Sequence, residues 1–176
     1  KQVLKNPDIH CAVIAAPPAT HFSLAKTALE TNKHVLLEKP MVLSTKEADK
    51  LKRSVEKSGL VFMVGYQYVY NDYVNYLKKQ ISAGEFGKIK YMLSDHFLSE
   101  PRKDINSFWD AGPHPLSIFQ YLFNPEKIVK SSLESNGEDF STVTVKFDRG
   151  PFLNIRTGWR TPEKVRKITI AGDKKM

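Results

Sequence analysis

The first part of the chain alternates short apolar runs with amphipathic stretches. Apolar, β-branched runs occupy 8–16, 34–39 and 60–66, and the stretches between them, 20–33 and 44–59, repeat apolar residues near helical spacing. Apolar runs of this length are typical of buried strands, and long helical links are typical of crossovers in a parallel sheet. The pattern therefore predicts strand, helix, strand, helix, strand, with the sheet covered on both faces.

Local signals mark the ends of the two predicted helices. Thr20 is placed to cap the first helix. Ser44 precedes the second helix and Glu47 follows three residues later, which is the spacing of a capping box. Gly59 closes that helix at the position where glycine is favoured because the backbone turns left-handed there.

Beyond Tyr66 the pattern changes from alternating elements to runs of strands. A helix at 72–87, a strand at 88–97 and a helix at 116–123 come first. Four β-rich segments with short links follow, and short links predict antiparallel neighbours. They are IVKSSLES (128–135), STVTVKFD (141–148), FLNIRTGW (152–159) and VRKITIAG (165–172), of which the second and third are expected to be central. We predict an α/β domain over 1–66 and an α+β domain with a large, open, mostly antiparallel sheet over 67–176.

Composition limits the classes of function. The net charge of +8 over 176 residues admits a nucleic-acid partner, but the lysines are spread along helical faces and mixed with Glu and Asp, so we expect none. No apolar run has the length of a membrane helix or of a signal peptide core, so we expect no membrane association. Cys11, the single cysteine, excludes an internal disulfide, fits a reducing cytoplasm and is expected in the core.

The two ends of the chain each lie directly beside a predicted strand. A three-stranded parallel sheet that begins with its first strand has an exposed edge, and the second sheet stops at a strand as well. We therefore expect a chain truncated at both ends, without the front of the α/β domain and the back of the β-rich domain.

Unusual residues cluster where the three predicted strands of the first domain end. The stretches are APPATH (16–21), EKP (38–40) and GYQYVYN (65–71). Ligands of open parallel sheets bind beyond the carboxyl ends of the strands, so this coincidence predicts a binding site. Each stretch also has a structural interpretation. Pro17 can simply stop a strand, His21 can face solvent at a helix N-terminus, and the tyrosines can form a half-buried stripe.

Asp110 and His114 are four residues apart in WDAGPHP. On one helical face, a carboxylate orients an imidazole and raises its basicity, which suits a general base. Pro113 and Pro115 are tolerated in a first helical turn. The alternative is a helix-capping Asp beside an ordinary His.

These motifs together resemble the Gfo/Idh/MocA oxidoreductases. The resemblance rests on VIAAPPATHFSLAKTALETNKHVLLEKPM, GLVFMVGYQYVYN and WDAGPH, and it extends over nearly the whole chain. GYQYVYN and RKDINSFWDAGPH are more similar to the branch that handles sugar nucleotides. The family implies that 1–66 is the C-terminal half of a Rossmann-like dinucleotide-binding domain, and that 67–176 is part of the substrate-binding and oligomerisation domain.

The resemblance also implies catalytic roles. Lys39 matches the EKP lysine that lies between nicotinamide and substrate, and Pro40 matches a proline that often follows a cis bond. His114 matches the general acid/base that takes the hydroxyl proton during oxidation. Asp110 matches the acid that positions the substrate and tunes that histidine.

The remaining implied site residues line the cofactor and the substrate. Pro17, Thr20, His21 and Glu38, together with Lys39 and Pro40, match positions of the cofactor cleft. Tyr66 and Gln67 fall at the passage between the domains, beside the substrate. Arg102, just before the helix, is either a ligand of a substrate carboxylate or phosphate or a solvated loop charge.

The implied cofactor is NAD or NADP, and no metal is implied. The glycine-rich fingerprint and the residues that choose between NAD and NADP are not among the 176 residues, so tight dinucleotide binding by this chain alone is not expected. The implied activity is hydride transfer between a nicotinamide and a secondary alcohol or ketone of a small sugar-like molecule, in a homo-oligomer formed through the open sheet. The alternative is a non-catalytic, cofactor-binding regulatory or scaffold protein of the same fold.

Overall fold

Two separately packed units, Lys1–Tyr66 and Gln67–Met176, make up the chain. The computed structural model describes residues 3–176. Across these residues, no helix combines the length and the apolar composition needed to cross a bilayer.

The N-terminal unit is a parallel sheet with two crossover helices. Its elements are β1 (Cys11–Ile14), α1 (Pro18–Glu30), β2 (His34–Leu37), α2 (Thr45–Ser58) and β3 (Phe62–Val64). The three strands are parallel in the order β1-β2-β3. The predicted alternation of strands and helices is confirmed.

One of the two predicted N-terminal caps is wrong. Helix α1 begins at Pro18, Pro17 occupies the cap position, and the Thr20 hydroxyl donates back to the Pro17 carbonyl (2.8 Å). Proline is well suited to the first helical position because the missing N–H needs no partner there. The capping box of α2 is confirmed, since the Glu47 amide donates to Ser44 Oγ (3.2 Å) and Gly59 has φ 65°.

Within the described residues, the parallel sheet is covered on one face only. Val35 and Leu37 are buried with the helices, whereas Val13 is 70% exposed and Leu36 38% exposed. Successive right-handed crossovers that run in one direction place their helices on the same face of a sheet. The expectation of two covered faces is therefore wrong for this unit, and so is the core position of Cys11, which is exposed.

The C-terminal unit combines three helices with a five-stranded sheet. Its elements are α3 (Asp72–Ser82), β4 (Ile89–Phe97), α4 (Ser107–Ala111), α5 (Pro113–Phe123), β5 (Ile128–Asn136), β6 (Phe140–Phe147), β7 (Phe152–Gly158) and β8 (Val165–Gly172). The strand order is β5-β6-β7-β4-β8. All described pairs are antiparallel except β4 with β7. The predicted fold class, a parallel α/β sheet followed by a mostly antiparallel α+β sheet, is confirmed.

The predicted pairing of the last two strands is wrong. Strand β8 pairs antiparallel with β4, and β4 lies between β8 and β7. The link over 159–164 is long enough to pass one strand, because neighbouring strands are only about 4.8 Å apart. In this arrangement Met92 of β4 is fully buried, with strands on both sides.

The two faces of the larger sheet differ in chemistry. One face buries Met92, Leu153 and Ile155 in a core with residues of α3 and α5. The other face is open and mixes polar with apolar residues. On it, Arg156 binds Asp95 through two donors (2.7 and 2.8 Å). Helices cover one face of this sheet and leave the other to solvent.

Candidate active site

Three strand ends meet at one edge of the parallel sheet. Ile14, Leu37 and Val64, the last residues of the three strands, are aligned by the strand register. The Glu38 amide donates to the Ile14 carbonyl (2.9 Å), which continues the pairing past β2. The loops that follow the strands therefore leave the sheet side by side, where parallel sheets bind ligands.

The EKP stretch is the middle of these loops. The Lys39-Pro40 bond is cis, as the family resemblance implies. Glu38 is exposed, Lys39 is half-buried and Pro40 is buried. The Lys39 amide donates to the Glu38 carboxylate (3.2 Å), and a Cβ at Gly65 would lie 3.3 Å from that carboxylate. Glycine after β3 therefore leaves room for the Glu38 side chain.

His21 joins two of the loops. Its ring is fully buried, with Nδ1 2.7 Å from the Pro40 carbonyl oxygen and Nε2 2.8 Å from the Ala16 carbonyl oxygen. Because both neighbours are acceptors, each ring nitrogen contributes only when it carries a hydrogen. From the sequence, His21 was expected either in solvent at a helix N-terminus or in the cofactor cleft. The structure shows a connection that holds the loop after β1 to the EKP loop, and a cofactor contact stays a prediction.

Replacement of His21 by alanine is expected to destabilise the N-terminal unit. The change leaves a cavity and removes the partner of one buried and one partly buried carbonyl, so we expect a loss of about 2–4 kcal/mol in the free energy of unfolding. Urea denaturation measures the change. The exposed His10→Ala is the control, with an expected change within about 0.5 kcal/mol. A His21→Ala chain as stable as the control would contradict this role.

Asp110 and His114 lie on two short helices joined through one residue. Asp110 belongs to α4 and His114 to the first turn of α5, and Gly112 between them has helical dihedral angles (φ −60°, ψ −34°). Pro113 and Pro115 have no N–H for helical hydrogen bonds, so the two helices are separate while the chain keeps a helical course. Both side chains are buried.

Arg102 holds the Asp110 carboxylate. Arg102 Nη1 donates to Asp110 (3.2 Å), and Nε and Nη2 donate to Asp104 (2.9 and 2.6 Å). The hydrogen bond to Asp104 raises the pKa of Arg102, and the charge of Asp110 raises it further. Arg102 is thus a partner of two acids, and its direct contact with substrate stays a prediction.

A pocket of about 240 Å³ lies beside His114. The Tyr68 ring meets the His114 ring edge-on at 4.8 Å, and the His96 ring stacks on it at 5.7 Å with an angle of 16°. Arg166 also lines the pocket. His96 and Arg166 were not predicted from the sequence. His96 lies at alternate positions with Met92 and Ser94 along β4, so the three side chains share the buried face of the strand. This alternation is the sequence signal that could have identified His96.

The remaining predicted site residues belong to the start of α1 and to the sequence boundary between the two units. Pro17 is exposed and Thr20 half-buried at the start of α1. Tyr66 ends the N-terminal unit, and burial raises the pKa of its phenol. Gln67 begins the C-terminal unit and is exposed. Within residues 3–176, no three His, Cys, Asp or Glu side chains are grouped to hold a metal ion.

Both units match family models. Residues 1–66 match the oxidoreductase family with an NAD-binding Rossmann fold, and residues 74–176 match the GFO/IDH/MocA C-terminal domain.

Similar curated proteins include two from Bacillus subtilis (strain 168). Glucose-6-phosphate 3-dehydrogenase is 32% identical, over 93% of this chain and 55% of the relative. The NAD⁺-dependent scyllo-inositol 2-dehydrogenase is 32% identical, over 92% of this chain and 52% of the relative. The chain thus spans about half the length of such relatives.

Solved structures agree in fold. An inositol dehydrogenase homolog from Azotobacter vinelandii, complexed with NADH and myo-inositol, has a TM-score of 0.89 at 22% identity, over 98% of this chain and 51% of that one. The WlbA dehydrogenase from Bordetella pertussis, in complex with NADH and UDP-GlcNAcA, has a TM-score of 0.86 at 21% identity, over 98% and 56%. With both units matched in sequence and in fold, the chain belongs to the Gfo/Idh/MocA family of oxidoreductases.

Proposed function

We propose that the protein is an NAD(P)-dependent oxidoreductase that interconverts a secondary alcohol and a ketone on a sugar or sugar-like substrate. The main structural support for this proposal is the arrangement of side chains in the C-terminal unit. There a buried imidazole, His114, lines a pocket one helical turn from a carboxylate, Asp110, that an arginine holds in place. The family membership of both units supports it, and so do the activities named for the two Bacillus relatives.

The residues at the edge of the parallel sheet fit a nicotinamide cofactor, NAD or NADP. Three parallel strands end together there, and Ala15, Ala16 and Gly65 have small or no side chains, so a flat group can approach the backbone. We propose that Pro17, Thr20, Glu38, Lys39 and Pro40 line this site, with His21 behind them. When bound, the nicotinamide supplies the redox chemistry of the reaction.

Lys39 is proposed to act on the reacting hydroxyl. Its ammonium group would donate a hydrogen bond to the substrate oxygen and favour the negative charge that develops there. Lys39 is the second residue after β2, and Pro40 is held by His21. A charge at a rigid strand end needs little reorganisation during the reaction.

His114 is proposed as the general base. A neutral imidazole takes the hydroxyl proton during oxidation and returns it during reduction. The rings of Tyr68 and His96 hold the His114 ring from two sides. Asp110 would position the substrate beside it, and Tyr66 and Gln67 are proposed to contribute further substrate contacts.

Arg102→Gln is expected to lower kcat about 10-fold, because a buried carboxylate, Asp110, loses its charged partner. Arg149→Gln, at an exposed turn, is the control. An Arg102→Gln enzyme with the kcat and KM of the control would contradict a positioning role.

The proposed function is tested by cofactor reduction. The purified complete protein, of which this chain is the site-bearing part, is incubated with NAD⁺ or NADP⁺ and a panel of glucose 6-phosphate, inositols and UDP-sugars, and reduced nicotinamide is followed by absorbance. Turnover with a sugar is the expected result. Tight cofactor binding without turnover on the whole panel would favour the alternative, a non-catalytic regulatory or scaffold protein of the same fold.

The open face of the larger sheet is proposed as a homo-oligomer interface. Phe152 (41% exposed), Leu93 (38%) and Phe140 (39%) lie on it beside the Arg156–Asp95 ion pair. Partly apolar sheet faces of this kind are commonly covered in assemblies. A cytoplasmic location is proposed on the single cysteine.

A further inference from the structure

We infer that the pocket beside His114 takes an anionic group of the substrate, a carboxylate or a phosphate, and that Arg166 binds this group. The inference rests on the proposed function and narrows its substrate class from sugars in general to negatively charged sugars. It makes Arg166 a specificity-determining residue of the C-terminal unit.

The charges that line the pocket are unbalanced. Arg166 pairs with His96 in the strand register and therefore shares the face that holds the pocket, whereas the neighbouring pair, Lys167 and Asp95, alternates to the open face. Asp95 is already bound by both Nε and Nη2 of Arg156 (2.7 and 2.8 Å). The pocket therefore keeps a positive charge for a ligand to neutralise.

Arg166 differs from other arginines of its unit. Arg102, Arg156 and Arg160 each lie against a carboxylate, at N–O distances of 2.6, 2.7 and 2.9 Å. The Arg166 Nε instead donates to His96 Nε2 (3.3 Å), and its guanidinium carbon lies 5.8 Å from the centre of the Tyr68 ring. Both partners hold the guanidinium without cancelling its charge.

The planar end of Arg166 is suited to an oxyanion. In the part of the chain that the structure describes, hydrogen bonds engage only its Nε, which leaves the two terminal nitrogens as donors. Two parallel N–H groups match the two oxygens of a carboxylate or a phosphate, and charge-assisted pairs of this kind are stronger than neutral hydrogen bonds. A neutral hydroxymethyl group offers one oxygen and no charge.

Arg166 is connected to the proposed general base through one ring. His96 accepts from Arg166 and stacks on His114. An anion on Arg166 would thus be bound one imidazole away from the group that receives the hydroxyl proton. Binding of the anion and placement of the reacting hydroxyl are coupled by this short connection.

The experiment compares three hexoses that differ only at the terminal carbon: glucose, glucuronate and glucose 6-phosphate. Affinities for the chain are measured by calorimetry or NMR titration, without turnover. We expect the wild type to bind at least one anionic sugar at least about 10-fold more tightly than glucose. Arg166→Gln is expected to reduce that preference to about 3-fold or less and to leave the affinity for glucose unchanged.

The control variant is Arg160→Gln, which removes the same charge from a residue that does not line the pocket. It is expected to keep the preference, and thermal unfolding of both variants shows whether they are folded. A preference that survives Arg166→Gln overturns the inference, and so does a wild-type chain that binds glucose equally well or binds none of the three. Glucuronate and glucose 6-phosphate serve as separate arms, because their difference identifies the anion.

The binding measurement and the turnover assay can fail separately. If the charged sugar binds through Arg166 but no nicotinamide is reduced in the turnover assay, the proposed function fails while the anion site stands. If turnover occurs equally with neutral and charged sugars and Arg166→Gln has no effect, the proposed function stands and the anion site fails.

Discussion

Lys39→Ala is expected to lower kcat by about 100- to 1,000-fold while the protein stays folded. Removal of one donor that stabilises developing negative charge on oxygen costs catalysis this much in well-studied sites. The side chain is half-buried in the loop after β2, and the hydrophobic core of the N-terminal unit includes Leu37 but not Lys39. The loss is therefore expected in kcat and not in the free energy of unfolding.

The control for Lys39 is Lys46→Ala, which removes an exposed lysine from the first turn of α2. Steady-state kinetics with a substrate found in the panel, together with thermal unfolding, separates chemistry from folding. Near-normal turnover of Lys39→Ala would remove this lysine from the mechanism. A chain that unfolds early would show instead that Lys39 supports its loop.

His114→Asn is expected to lower kcat by about 100- to 10,000-fold, the range of general acid–base catalysis. Asparagine keeps a polar side chain in the buried position but accepts no proton at neutral pH. The pH profile of kcat/KM should lose the limb that reports the base. His114→Ala should show the same kinetic loss with an additional loss of stability, because the edge-on contact with Tyr68 and the stacking on His96 disappear.

The control for His114 is His10→Asn at an exposed position before β1. It is expected to change neither kcat nor the pH profile. A His114→Asn enzyme that keeps both its rate and its pH limb would exclude His114 as the base. In that case His96, the other buried imidazole lining the pocket, would be the next candidate.

Signals that act over a few residues were predicted well. The cis bond before Pro40, which the family resemblance implied, is present. The capping box at Ser44 and the left-handed Gly59 are present as well. They follow from steric and hydrogen-bonding preferences of adjacent residues, so a single sequence contains them. The EKP position at a strand end is of the same kind, because the apolar run that precedes it ends within the same few residues.

Arrangements that depend on distant partners were predicted less well. The pairing of β8 with β4 joins residues about 70 positions apart, such as Arg166 and His96. The residues next to Arg166 and His96 in the sequence do not indicate this contact, because each strand could also pair at another edge of the sheet. Which pairing forms depends on how all the apolar faces are buried together.

The sequence by itself determined the two kinds of sheet, both ends of α2, the family and the positions of Lys39, Asp110 and His114. These depend on local periodicity and on short motifs. Only the tertiary structure decided that Arg102 holds Asp110 and that His21 joins two loops. It also decided that His96 and Arg166 stand beside His114. The physical reason is that charge pairing and ring stacking require atoms within a few ångströms, and the fold alone brings such distant residues together.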